Sequence, residues 1–128
     1  MTKTTVQVGP FGFYFSNNNP ILELPLHSHY AEVSLCFEAV GDIGLPVLAH
    51  TQNDLRKHVR ELVAEPFIGK TNEQICRSLF DALDQWSPSG DACFDLAWLE
   101  LAVRCVEDDL GHAECFTRYR TSRVMERV

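Results

Sequence analysis

From Ala31 to Glu38 the chain alternates. Ala31, Val33, Leu35 and Phe37 fall on one side and Glu32, Ser34, Cys36 and Glu38 on the other. A period of two predicts a half-buried strand. The strand opens on Leu26-His27-Ser28-His29-Tyr30. Side chains two apart on a strand point the same way, so His27 and His29 share a face and are close enough to meet one divalent cation. A first strand is predicted upstream, where Val6-Gln7-Val8 and Phe11 to Phe15 are separated by a bulge or bend at Gly9-Pro10. Phe11, Phe13 and Phe15 form its apolar row. Ser16 to Pro20, with three consecutive asparagines, reads as a loop.

After Val40 the period changes. Gly41 to Pro46 reads as a turn-rich connection, and Thr51 with Asp54 as a weak capping box ahead of Leu55, Val59, Leu62 and Val63, one stripe of a helix that Pro66 stops. Gly69 gives a break. Thr71 and Gln74 form a better capping box, followed by Ile75, Leu79, Leu83 and Trp86 as the stripe of a second helix. Ser87 to Gly90 ends it. From Phe94 to Glu107 one row holds Asp95, Ala97, Leu99, Leu101, Val103 and Cys105, while Phe94, Trp98, Ala102 and Val106 make the other row partly apolar. Helix is the competing reading. Strand is preferred because Asp108-Asp109-Leu110-Gly111 resembles a hairpin turn into a last strand, His112 to Tyr119.

The predicted order is strand, strand, helix, helix, strand, strand in a single domain over residues 1–128. That pattern implies an α+β fold, an antiparallel sheet with both helices on one face. Its edges and open face need cover, and association into a homo-oligomeric ring supplies it.

Charge and composition narrow the function. Eleven Lys and Arg against eighteen Asp and Glu give a formal charge of −7, which argues against a nucleic-acid surface. Arg118, Arg120, Arg123 and Arg127 are read as a solvated tail. No apolar run is long enough for a membrane span and no signal peptide opens the chain, so a cytoplasmic protein without a membrane partner is expected. Five cysteines without a C-x-x-C pair are expected to be reduced, most of them buried.

These residues resemble a known family. His27-Ser28-His29-Tyr30 is similar to the His-Gly-His-Asn-Tyr stretch of the 6-pyruvoyltetrahydropterin synthase and 6-carboxytetrahydropterin synthase family, whose tunnelling fold has the same element order. Phe15-Ser16 resembles its Phe-Ser-Ala-X-His, Gly44 to Leu55 its segment into the first helix, Thr71-Asn72-Glu73 its Thr-X-Glu, and Val106-Glu107-Asp108 its Glu-Thr. The resemblance implies an oligomeric barrel and a pterin or purine ligand at a subunit boundary. It makes His27 and His29 two of three zinc ligands and Glu107 the pterin anchor, with Thr71 and Glu73 lining the pocket. An ionised carboxylate suits a pterin, because it accepts two adjacent N–H donors in parallel.

The chain departs from the family at three places. The family's first zinc histidine is replaced in register by Asn19, a poor zinc ligand, and His50 is the other candidate for a third ligand. No cysteine lies in Ile21 to Leu26, where the family has its catalytic one, and Val63 to Gly69 contains no Asp-His pair. The residues then allow three functions. The first is a zinc-dependent pterin synthase-like lyase, the second a binding or scaffold protein without that chemistry, and the third a metal-independent aldolase-like enzyme. The third ranks lowest, because Phe94 to Tyr119 has no lysine.

Overall fold

Alternation along the strands and a 3.6-residue period along the helices give this chain one apolar face per element, and those faces meet. The computed structural model describes residues 3–19, 23–40, 44–85, 94–104 and 116–122. Its elements are β1 (Lys3–Asn19), β2 (Leu24–Val40), α1 (Gly44–Leu62), α2 (Asn72–Asp84), β3 (Phe94–Arg104) and β4 (Phe116–Ser122). The strands form one antiparallel sheet in the order β1-β2-β3-β4. The expected element order and α+β architecture are present.

The alternating rows become the core. Phe11, Phe13 and Phe15 of β1, Val33, Leu35 and Phe37 of β2, and Leu99, Leu101 and Val103 of β3 are buried in one cluster with Leu55, Val59 and Val63 of the α1 segment and Ile75, Leu79, Phe80 and Leu83 of α2. Both helices therefore cover the same face. Each fully buried side chain of this size contributes on the order of 1.5–3 kcal/mol. Cys36 and Cys76 are free thiols and buried, as expected. Burial pushes the Cys76 thiol up to about 11, and its Sγ–H donates to the Tyr119 carbonyl at 3.4 Å.

Several local expectations are corrected. Ser16 to Asn19, expected as loop, continue β1, because Ser16 and Asn17 keep their pairing with Ser28 and His27. α1 begins at Gly44, seven residues before Thr51. Pro46 is only its third residue, a position where the missing N–H has no intrahelical acceptor to lose. In β3 a register shift between Cys36 and Phe37 sets Phe37 opposite Leu96, so Leu96 is buried and Ala97 is not. The predicted bulge in β1 is present between Val8 and Phe11. Gly9 there has φ +107°, and a Cβ would lie 2.6 Å from the Val33 carbonyl oxygen. β4 runs Phe116–Ser122, ending three residues beyond the expected Tyr119, while Trp86, Glu107, the expected turn at Asp108 to Gly111 and the expected strand start at His112 lie outside the described residues.

The other sheet face has no helix among the described residues. Cross-strand neighbours there include Tyr14, Tyr30, Arg104 and Phe116. The Arg104 guanidinium lies 4.3 Å from the Tyr30 ring centre, and Arg120 lies 4.1 Å over Trp98 while sharing Glu100 with Arg118. No described helix is long and apolar enough to cross a membrane.

Candidate functional site at the end of the histidine strand

His27 and His29 sit at the start of β2, in register with Asn17 and Phe15 of β1. Odd-numbered residues of β2, and of β1 beyond the Gly9–Pro10 bulge, face the helices, so the two imidazoles lie on the core side at its open end. Their ring centres are 4.4 Å apart, edge to face, and His29 lies 5.3 Å from Phe15. Phe67 meets Phe15 edge-on at 6.2 Å, completing an aromatic wall.

The connection between the helices is fastened to this end of the sheet. The Phe67 N–H donates to the Ser16 carbonyl at 2.8 Å, the Gly69 N–H donates to the Asn18 side chain, and the Asn17 amide Nδ2–H donates to the Lys70 carbonyl at 3.0 Å. These bonds bring the start of α2 beside the histidines. Thr71 is its N-cap, in a reciprocal capping box with Gln74. The Thr71 hydroxyl is thus engaged in holding the helix.

Hydrogen bonding fixes much of the electrostatics. His27 Nδ1 lies 2.7 Å from the Pro25 carbonyl, which can only accept, so Nδ1 carries the proton and Nε2 is left bare in the neutral ring. Burial, then the neighbouring His27, lowers the pKa of His29 below the usual histidine value. His29 is therefore neutral near pH 7. Its Nδ1 is buried without a hydrogen-bond partner, and so is Asn17 Oδ1. Asn17 is only 4% exposed and is the buried polar residue of the described core. Buried polar atoms are normally paired, so these two, on neighbouring strands at the open end of the core, are donors or acceptors that the described residues leave without a partner.

The predicted site residues divide. His27, His29 and the backbone leading to Thr71 come together. Asn19 lies past a second register shift, paired with Leu24, so it is Asn17 and not Asn19 that stands opposite His27. His50 is within α1. Glu73 lines a separate depression of about 320 Å³ with Cys76, Tyr119 and Thr121, on the β4 side of α2. Asn17 and Phe67 were missed by sequence reasoning. Extending the Phe11, Phe13, Phe15 alternation by one more step would have found Asn17.

A zinc site requires three protein ligands. Among the described residues no group of three His, Cys, Asp or Glu side chains is placed to hold a metal ion. The third polar atom beside the two imidazoles is an amide oxygen, which suits zinc poorly. Among the described residues, the donors at this end of the sheet fall short of the three that a zinc site takes.

Fold and site together describe an open four-stranded antiparallel sheet with two helices on one face and a histidine pair at its rim. No family model and no curated protein matches the chain. Among solved structures it is similar to the crystal structure of an uncharacterized protein from Wolinella succinogenes, at 13% identity, with a TM-score of 0.51 over 97% of this chain and 100% of that one. At that identity the likeness shows the fold alone.

Proposed function

We propose that the chain is a divergent 6-pyruvoyltetrahydropterin synthase-like protein of the tunnelling fold, which binds a pterin or purine heterocycle at the His27–His29–Asn17 end of its sheet without the ancestral zinc chemistry. The observation that carries this reading is the pair of buried, unpartnered atoms, Asn17 Oδ1 and His29 Nδ1, beside an aromatic wall. A pterin or guanine edge carries adjacent N–H donors from an exocyclic amine and a ring amide. Asn17 Oδ1 accepts one of them. His29 Nδ1 accepts the other when its proton resides on Nε2, and the flat ring lies against Phe15 and Phe67. Glu107, the pterin anchor that the family resemblance implies, is proposed as a further residue for the ligand, with copies of the chain assembled so that the ligand lies near a subunit boundary.

The reading is tested by fluorescence or calorimetric titration with dihydroneopterin and with guanine, in EDTA and again with added zinc. We expect saturable binding of about one ligand per chain, unaffected by EDTA and weakened about tenfold in His29→Ala, the loss of one buried hydrogen bond and its packing. Absence of saturation at about 1 mM ligand, or full affinity in the folded His29→Ala variant, overturns it.

A further inference from the structure

The two edges of the sheet carry unpaired charges of opposite sign. β1 is one edge and β4 the other, with α1 packed beside β1 and α2 over β3 and β4. At the β1 edge, exposed Arg56 holds its guanidinium 5.0 Å from the centre of the Phe11 ring. Arg60, one helical turn further on, lines a groove of about 540 Å³ with Val63, Ala64 and Tyr14. The backbone groups of Gly12 and Tyr14 point outward below it. That direction follows from the Ser16 carbonyl, which accepts from Phe67 on the side away from β2, because direction alternates along a strand and the register is unbroken from Phe11 to Asn17.

At the β4 edge the unpaired charge is a carboxylate. Glu73, exposed in the first turn of α2, lines the depression of about 320 Å³ with Tyr119 and Thr121. The arginines of this edge are already engaged, Arg77 by Asp81, Thr121 and the Ser122 carbonyl, and Arg120 by Glu100 above Trp98. Arg56, Arg60 and Glu73, by contrast, form no ion pair with any described residue. The register sets them at one height. Tyr119 pairs with Leu101, Leu101 with Val33 and Val33 with Phe11, so a single row crosses the whole sheet from the ring beside Arg56 to the side chain beside Glu73.

We propose that these are the two halves of one boundary between copies of the chain, in which β4 of one copy lies along β1 of the next and Glu73 is held by Arg56 and Arg60 of that neighbour. The pairing rests on the homo-oligomeric assembly proposed above and names the contact that selects its edges. Direction agrees. β1 and β4 run oppositely within the sheet, so copies related by rotation about a ring axis bring an antiparallel pair together. Spacing agrees as well. Strands tilt in a closed sheet, which offsets the rows at a boundary in two-residue steps of about 6.7 Å, and Arg60 lies about 6 Å beyond Arg56 along its helix. Glu73 thus meets Arg56 across an unshifted row and Arg60 across a row shifted by one step. The same charges act against the wrong edge. Pairing β1 with β1 would set arginines against arginines, so the head-to-tail contact that closes a ring is favoured over an isologous one.

Sedimentation of the full chain over a concentration series, at about 0.05 M and about 0.5 M salt, tests the boundary. Three variants are compared with the native chain: Glu73→Arg, the double reversal Arg56→Glu/Arg60→Glu, and the swapped chain that carries all three changes. Circular dichroism confirms that each is folded, and the corresponding glutamine substitutions replace any reversal that is not. At low salt we expect each reversal to raise the concentration at which the native chain assembles about tenfold, the swapped chain to recover most of that loss, and the differences to shrink at high salt. Recovery is the readout that a merely structural role for these residues would not give. A native oligomer whose assembly neither reversal changes overturns the charged boundary and leaves the assembly standing. Weakening by the reversals without recovery in the swapped chain overturns the pairing of Glu73 with the arginines. A native chain that stays monomeric up to about 1 mM overturns the assembly itself, and this boundary with it.

Discussion

His29 has an imidazole on the core side of a strand, an unpaired Nδ1, and a pKa lowered first by burial and then by His27. Its effect on stability has a definite sign. Below the unfolded value the unfolded chain takes up a proton that folded His29 resists, so the native state is favoured above that range and loses stability as pH falls through it. Urea unfolding at about pH 7.5 and about pH 5.5 should therefore show a larger loss for the native chain than for His29→Gln, which cannot titrate. An equal loss in both would mean that the imidazole is not desolvated as the structure has it. Asn17 illustrates a different point. Its position in a run of three asparagines reads as a turn, and that local chemistry hides what the sheet register determines, a buried amide directly opposite His27.

Elements were legible where one period dominated. β2 and the apolar rows of β1 follow from alternation alone, and α2 follows from its capping box and stripe. The start of α1 was obscured by Gly44 and Pro46, residues that signal a turn in most contexts and yet are tolerated in a first helical turn. The register of β3 was not legible at all, because a bulge is a property of a strand pair, and the exchange of Ala97 for Leu96 in the core shows only once β2 lies beside it. The Thr71–Gln74 box holds the end of α2 that the 67–70 connection delivers to the histidines. Thr71→Ala should lower stability by about 1 kcal/mol in denaturant unfolding. A change within error would mean that the cap is redundant with the bonds from Ser16 and Asn17 to that connection.

At the scale of the whole molecule, two features lie at the sheet's boundaries. The start of β2 presents unpaired polar atoms beside an aromatic wall, and the outer edge of β1 presents outward backbone groups beside two arginines. The β-β-α-α-β-β order was readable from the sequence because each segment carries its own period. The candidate site was half readable, since the His27–His29 spacing is local whereas Asn17, Phe67 and the Lys70 carbonyl reach it only through tertiary pairing. Its resemblance-based members separate, with Glu73 in its own depression beside β4. Heterocycle binding at the histidine pair is tested most directly by a long-range nitrogen–proton NMR spectrum of the imidazole rings, recorded while a reduced pterin is titrated into the chain. The His27 and His29 ring signals should shift together and saturate at about one ligand per chain while His58, on α1, stays in place. Saturable binding that leaves both of those rings unmoved would contradict a site at this end of the sheet.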